Sequence, residues 1–433
     1  MKKVVFILLT WVTCISMSPW TYPSEDILPT ACVKVNGFYY SLYPDAGTAT
    51  LVRQWKRPNR QTSPYARLKK ADIPPFIQHK GQSYKVTAIG DYTFEECYGL
   101  ESVCIPSTVT YIGNFAFHGC ASLQEVIIPD SVNYVGRAAF ASCYSLQSVK
   151  LPDELQSIGI YTFRGCDNLQ SICLPAHLKL IEQEAFEDCI SLSDIHLPDS
   201  LETIESNAFT GCSALQSITL PKSLKRMAFD CLTCINLTAI HVDSGHPLLC
   251  SIEGTLYSKD TTQLVRFPCG KQADSTVVVP ERVTAIWPNA FHGCRISGIV
   301  LPPGISTIDK SVFCWCDNLT SITVPEGVTS IGNGAFQTCK RLHTVTLPST
   351  LGQIEEGAFF GCNNLTTIIS NAPTPPVCER HAFATLYFPS EGASMAHIRF
   401  YVPEQSIELY RAAEGWNSEE FIYYPLSEYQ PKP

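Results

Sequence analysis

Cysteine is the residue type whose spacing first suggests chemistry in this sequence. Twenty cysteines occur among 433 residues, and a regular series is formed by Cys97, Cys120, Cys143, Cys166, Cys189, Cys212, Cys234, Cys294, Cys316, Cys339 and Cys362. Such thiols could form disulfides, bind a metal or pack as small apolar side chains. Equivalent positions on stacked strands lie about 4.8 Å apart with parallel Cβ directions. We therefore favour a ladder of buried thiols.

A second group of cysteines comprises Cys231, Cys234, Cys250 and Cys269. Four thiolates would satisfy zinc, but only one C-x-x-C pair is present and Cys234 belongs to the regular series, so we expect no metal site. A disulfide between Cys250 and Cys269 stays open, because the two residues are expected near cross-strand register in an exported protein.

One arrangement resembles a nucleophilic catalytic site. Cys173 and His196 are expected on adjacent coils, with Asp194 two residues from His196 on the same side. In such a site the imidazole lowers the pKa of the thiol and the carboxylate orients the imidazole. A sheet surface offers neither oxyanion donors nor a pocket. We predict that the chain is not an enzyme and keep a Cys-dependent hydrolase as a remote alternative.

These cysteines are one position of a longer repeat that must place them. Phe94 and Phe117, like Pro106 and Pro129, are separated by the same 23 residues as Cys97 and Cys120. The unit is L-x-x-[IV]-x-[LI]-P-x-x-[LV]-x-x-I-[GE]-x-x-A-F-x-x-C-x-x. Its alternating apolar start predicts a half-buried strand that ends at proline, and its A-F pair predicts a row of aromatic rings between coils. Each unit buries its apolar face only against its neighbours, so the sequence predicts a repeat solenoid.

The periodicity also divides the chain. We predict a signal peptide at 1–18, an N-terminal cap at 19–72, repeats at 73–240, a hairpin island at 241–279, repeats at 280–372 and a C-terminal cap at 373–433. The island is expected to project from the stack as a hairpin of Gly254–Ser258 and Gln263–Phe267.

Terminal caps are expected because an exposed solenoid core needs cover at both ends. At the N-terminal end we predict strands within Val33–Leu51 and Tyr84–Ile89, separated by a polar loop over Arg53–Lys70. At the C-terminal end we predict a short helix, Ser406–Glu414, whose Ile407 and Tyr410, together with Trp416, cover the last coil.

The block P-x-x-V-T-x-I-G-x-x-A-F-x-x-C-x-x-L, at Pro106–Leu123 and Pro325–Leu342, resembles the BspA-type leucine-rich repeat family. The resemblance covers roughly 73–369 and includes the interruption GTLYSKDTTQLVRFPCGK. It implies a right-handed leucine-rich repeat coil with short parallel β-strands, and it carries no catalytic residues. The family consists largely of exported surface proteins of anaerobic bacteria, some linked to adhesion, so the resemblance implies adhesion or protein binding.

Charge and the N-terminal sequence bear on the compartment. The formal net charge is -9, with 31 basic and 40 acidic residues and no long basic run, which argues against nucleic acid as a partner. Met1-Lys2-Lys3 followed by apolar Val4–Leu9 predicts a secretory signal, and no other stretch is suited to a transmembrane span. We expect an extracellular or outer cell-surface protein without a cofactor. A lipid anchor at Cys14 is the alternative to release.

The outward strand positions are where we expect function, because the inward positions are committed to packing. This predicted partner-binding face comprises Ser102, Glu125, Ser148, Lys150, Ser171, Cys173, Asp194, His196, Ser217, Thr219, Ser321, Thr323, Thr344 and Thr346. Many weak contacts would bind a host matrix or cell-surface protein, a glycan or another bacterial surface. The alternative is a structural spacer arm without a ligand of its own.

Overall fold

The computed structural model describes residues 32–53, 63–272, 274–384, 398–419 and 421–430. The predicted signal peptide and Cys14 lie outside these ranges. Within them the chain forms a solenoid of about 14 turns, with short parallel strands and almost no helix. The predicted fold class is confirmed. None of the helices in these ranges is both long and apolar enough to cross a membrane.

The first apolar run of each repeat forms what we call a front strand. Val126 points inward and is buried, whereas its neighbours Glu125 and Ile127 are exposed, as the two-residue period of a strand requires. Most neighbouring front strands pair in parallel, with Ser148 opposite Glu125, and together they form several short sheets along one side. The front strands are Lys70–Asp72, Ser102–Cys104, Glu125–Ile127, Ser148–Lys150, Ser171–Ile172, Asp194–Ile195, Ser217–Leu220, Ala239–Val242, Thr276–Val278, Gly298–Val300, Ser321–Thr323, Thr344–Leu347, Thr367–Ser370, Ile398–Val402 and Phe421–Pro425.

The second apolar run of each repeat forms a second parallel row, whose members we call back strands. Ile112 is buried and Tyr111 faces outward, opposite Tyr134 of the next turn. Most back strands have two residues, because the chain bends again directly after them. The row comprises Gln82–Ile89, Tyr111–Ile112, Tyr134–Val135, Ser157–Ile158, Leu180–Ile181, Thr203–Ile204, Arg226–Met227, Ala285–Ile286, Thr307–Ile308, Ser330–Ile331, Gln353–Ile354 and Val377–Cys378.

The A-F-x-x-C segment forms the third side of each turn. The backbone N–H of Phe94 donates to the carbonyl of Ala116 in the next turn at 2.7 Å. The rings of Phe117 and Phe140 stack with centroids 5.2 Å apart and an interplanar angle of 4°. This confirms the predicted aromatic row, which runs through Phe94, Phe117, Phe140, Phe163, Phe186 and Phe209.

The N-terminal end is closed by four further strands, Cys32–Val35, Phe38–Tyr43, Thr48–Val52 and Phe76–His79. The third of these pairs in parallel with Gln82–Ile89 and so joins the cap to the back row. The described part of the predicted polar loop over Arg53–Lys70 forms turns up to Lys69, but a buried tyrosine anchors it. Tyr65 is buried there, and its hydroxyl donates to the Val52 carbonyl and accepts from the Tyr39 N–H, both at 2.8 Å.

The island has three antiparallel strands, Leu249–Ile252, Thr255–Ser258 and Gln263–Arg266. The expectation that it projects from the stack is wrong. Gln263–Arg266 pairs in parallel with the back strand Ala285–Ile286, and Leu264 is buried. Phe267 stacks on Phe291 at 5.1 Å and continues the aromatic row. The island is therefore part of the solenoid wall, because the apolar residues of Gln263–Arg266 are buried in the core on either side of this strand.

The C-terminal end is covered by a 3-10 turn at Glu404–Ser406 and a helix at Ile407–Ala412, shorter than predicted. Tyr410 and Trp416 are fully buried, as expected, and the Trp416 indole donates to the Pro376 carbonyl at 2.8 Å. The front strand Phe421–Pro425 and a 3-10 turn at Leu426–Glu428 follow. That last strand was not predicted, since it lies beyond the periodic sequence and extends the front row in parallel beside Ile398–Val402.

Candidate functional site

The structure places all fourteen residues of the predicted partner-binding face on the outer side of the front row. Ser102, Thr344 and Thr346 are half-buried and the other members are exposed. Their register is regular, as in Ser321 opposite Thr344. The arrangement forms an extended surface that we call the front face. Its role in binding stays a prediction.

Apolar residues on the front face were missing from the predicted set. Val278 and Val300 are 69% and 51% exposed and lie directly opposite each other on neighbouring strands, and Ile127 is 64% exposed. The two valines follow the interruption, where the period is broken and the strand register is hard to assign from sequence. The outward alternation around Ile127 was visible in the sequence. The front face therefore combines hydroxyl and charged side chains with exposed β-branched residues.

The charges of the front face are mixed in sign. Lys70 pairs with Asp72 at 3.2 Å, and Lys150 lies 3.6 Å from Asp130. Hydrogen bonds from the Cys104 thiol and from Lys70 lower the pKa of Asp72, and the same thiol–carboxylate bond raises the pKa of Cys104. Ion pairs as exposed as these contribute little to stability, because water and salt screen them. The local charges can therefore contact a partner without disturbing the core.

The catalytic-like arrangement lies in the open on this surface. Cys173, Asp194 and His196 are all exposed. Ser171 is the residue opposite Asp194, and the same register continued two residues further places Cys173 beside His196. No hydrogen bond joins the three side chains in the described structure, and the described pockets lie elsewhere, around Met227 and Trp287 and around Phe383. The arrangement therefore lacks the contacts that activate a thiol.

The regular cysteine series forms a ladder of buried free thiols. Each thiol from Cys120 onward donates to the carbonyl of the phenylalanine one turn earlier, as Cys143 does to Phe117 at 3.3 Å and Cys189 to Phe163 at 3.1 Å. Burial raises the pKa of Cys143 to about 12. The ladder was expected from spacing, but its hydrogen bonds were not.

The cysteines near the island do not form the arrangements considered from sequence. Cys250 and Cys269 are both free, and the cross-strand partner of Cys250 is Tyr257. The expectation that the two cysteines lie near cross-strand register is therefore wrong, since Cys269 follows the last island strand and lies against the next turn. Among the described residues, no group of three or more His, Cys, Asp or Glu side chains is arranged to hold a metal ion.

Comparisons with known proteins agree with this architecture. Residues 87–193, 157–273 and 269–386 match the family model described as BspA type leucine rich repeat region, with six copies. These ranges together cover more than half of the chain. A search of curated proteins finds no match.

Two solved structures are similar over most of the chain. A leucine rich cell surface protein from Faecalibacterium prausnitzii A2-165 is 28% identical, covers 78% of this chain and 94% of its own, and has a TM-score of 0.62. The pneumococcal vaccine antigen PcpA is 18% identical, covers 91% and 98%, and has a TM-score of 0.54. The second similarity concerns the fold alone.

Proposed function

The chain belongs to the BspA-type leucine-rich repeat family, and from this premise we propose that it is an exported surface protein that binds a macromolecular partner through its front face. The family and the similarity to a bacterial cell surface protein support a surface role of adhesion or protein binding. The proposal assigns no reaction and no cofactor to the chain.

The regular outward presentation of side chains along the front row carries the proposal. Most front strands direct alternate residues outward, as do Glu125 and Ile127 or Ser321 and Thr323. Solenoids use such extended surfaces for recognition, because many modest contacts can act together. The exposed pair Val278 and Val300 adds apolar area that a partner would remove from water.

The first test is binding of purified 21–433 to host matrix proteins, mucins, glycans and bacterial cells. We expect saturable binding to one of these classes. The combined variant Lys150→Ala, Asp194→Ala and His196→Ala and the variant Val278→Asp with Val300→Asp should each weaken it by about 10-fold or more, since truncating one contributing contact costs about 1 kcal/mol.

The matched control is Arg226→Ala, which removes an exposed charged residue from a back strand. It should leave binding unchanged. If both sets of front-face variants fold normally and bind as tightly as the unmodified chain, the front face is not the binding surface. Absence of binding to every class would favour a spacer arm that displays other parts of the molecule.

A further inference from the structure

A buried arginine lies where the island joins the next turn. Arg266 precedes Phe267 at the position that alanine takes in the Ala290–Phe291 pair, and it is 1% exposed. Its guanidinium donates to the carbonyls of Leu232 at 3.3 Å and His292 at 3.1 Å, and also to that of Asn289. The arginine thus supplies hydrogen bonds across the interruption of the repeat.

A cysteine sulfur, rather than a carboxylate, lies beside the guanidinium of Arg266. No carboxylate lies within ion-pair distance of the guanidinium in the described parts of the chain. Nη2 instead donates to Cys269 Sγ at 3.1 Å, and the buried Nε has no hydrogen-bond partner among the described residues. A buried cation without an anion is costly. The contact therefore favours the thiolate form of Cys269.

Cys269 is placed differently from the regular ladder. It follows Phe267 by two residues, whereas Cys294 follows Phe291 by three. Its sulfur lies 3.3 Å from the His292 carbonyl, which also accepts from Arg266. That carbonyl consequently keeps a donor when the thiol loses its proton.

The neighbouring groups separate Cys269 electrostatically from the other buried thiols. The Cys294 thiol lies 3.5 Å from the Phe267 carbonyl and can turn its single proton to the Cys269 sulfur instead. That hydrogen bond, opposed by burial and assisted by the charge of Arg266, lowers the pKa of Cys269. Burial raises the pKa of Cys294 and likewise that of Cys234 and Cys316, which also surround the site. Burial also lowers the pKa of the adjacent His292 to about 4, so that imidazole is neutral at pH 7. Arg266 is therefore the cation that faces the sulfur.

We propose that Cys269 is a nucleophilic thiolate that reacts with hydrogen peroxide and then forms a disulfide with Cys294. The Cys269 sulfur attacks one peroxide oxygen, the O–O bond breaks and hydroxide leaves, giving a sulfenic acid. The Cys294 sulfur then attacks the Cys269 sulfur and displaces the hydroxyl, which leaves as water with the Cys294 proton. The two sulfurs lose two electrons in total, and the peroxide is reduced to water and hydroxide.

A small oxidant suits the position of this sulfur. Cys269 is 1% exposed, and the half-exposed His292 and Gly293 lie beside it. A Cβ at Gly293 would lie 3.9 Å from Cys269 Sγ, so the sulfur lies just beneath a surface residue that has no side chain. Small fluctuations of this segment would admit peroxide but not a bulky reagent.

The test is oxidation of the reduced full chain by hydrogen peroxide, followed by peptide mass spectrometry. We expect the disulfide Cys269–Cys294 to form before any other linkage between buried thiols. Cys316 and Cys339 provide the internal control, because they are ladder neighbours one turn apart without an arginine partner. Equal oxidation of the two pairs, or a Cys269 that stays reduced while the control pair is oxidised, would overturn the proposal.

Two variants separate the steps. Arg266→Met should slow oxidation of Cys269 by about 10- to 100-fold at pH 7, because the thiolate fraction falls as the pKa returns toward its ordinary value. Cys294→Ser keeps the arginine and should stop the reaction at a Cys269 sulfenic acid, which dimedone traps when it is added together with denaturant. Cys339→Ser is its matched control and should leave the Cys269–Cys294 disulfide intact. Failure of Cys294→Ser to give a trapped sulfenic acid at Cys269 would contradict the mechanism even if Arg266→Met fails to fold.

Discussion

At the scale of single residues, the repeated cysteine combines a hydrogen bond with apolar packing. The phenylalanine carbonyl of one turn points toward the side chain three residues beyond the phenylalanine of the next, and the Cys166 thiol donates to the Phe140 carbonyl at 3.3 Å. That carbonyl also accepts from the backbone N–H of Cys143 at 3.3 Å, so the thiol donates to the second lone pair of the oxygen. A thiol supplies the donor with little polar penalty, since free cysteine packs as a small apolar side chain.

Thiol labelling tests this assignment residue by residue. In the native chain we expect a maleimide to modify Cys32, Cys104 and Cys173, which are exposed, and to spare the ladder members. The ladder thiols should react only after denaturation, because burial keeps the reagent away from the sulfur and keeps the thiol protonated. Peptide mapping before and after denaturation measures the difference. Native labelling of Cys143 or Cys166 at the rate of Cys173 would contradict the burial of the ladder.

At the scale of elements, two strand rows and one aromatic row hold each turn. Along the front row, inward residues are buried and alternate with outward residues. The back row adds a second set of parallel strand pairs. The third side bends through a left-handed residue, as at Tyr92 and Phe115 with φ of 57° and 55°. Backbone hydrogen bonds to the next turn, such as Tyr92 N–H to the Asn114 carbonyl at 2.9 Å, hold this conformation.

The aromatic row makes a prediction at this scale. Phe140→Ala should lower the free energy of unfolding by about 3–5 kcal/mol, because a buried ring is replaced by a cavity. Phe140 is fully buried and stacks on Phe117 and Phe163 at 5.2 and 5.8 Å. Tyr134→Ala is the control, since Tyr134 is 44% exposed on a back strand, and it should cost about 1 kcal/mol. Equal losses in denaturant titrations would refute a structural role specific to the row.

At the scale of the whole molecule, stability accumulates from contacts between neighbouring turns. The buried residues divide into one large cluster from Phe38 to Val265 and another from Tyr257 to Tyr423, which adjoin at the island. Because the island strand Gln263–Arg266 contributes to both clusters, it connects the two halves of the solenoid. A repeat architecture couples such halves mainly through the contacts at their boundary.

The buried thiols together predict a loss of stability at alkaline pH. Burial raises the pKa of Cys143 and Cys189 from the ordinary 9.0 to about 12, so each folded thiol holds its proton where the unfolded thiol releases it. The stabilisation is complete below pH 9 and is lost as the pH rises from 9 toward 12, by up to about 1.4 kcal/mol per pH unit for each thiol.

Thermal unfolding between pH 7 and pH 10.5 measures this effect. We expect Tm to fall steeply above pH 9, and Cys143→Ala with Cys189→Ala to make the fall shallower while lowering Tm at pH 7. The expected sign is opposite for Cys269, whose lowered pKa adds stability as the pH rises through its own titration. A Tm that stays constant to pH 10.5 would contradict the titration of the ladder in the unfolded chain.

The sequence alone determined the features that recur in every unit. The repeated proline, phenylalanine and cysteine specified the solenoid, the aromatic row, the buried thiols and the outward positions of the front strands, because each recurs at a period that only stacking can satisfy. The alternation around Val126 was sufficient to tell inward from outward residues.

Features that depend on contacts between turns could not be predicted from the sequence and are visible only in the tertiary structure. Most back strands have two residues, too few for a periodic signal. They form because the surrounding turns bring residues such as Tyr111 and Tyr134 into register. The island lies in the wall of the solenoid because its strand Gln263–Arg266 pairs in parallel with the back strand Ala285–Ile286. The pairing of Arg266 with Cys269 likewise arises where the repeat is interrupted, since a unique contact leaves no periodic trace in the sequence.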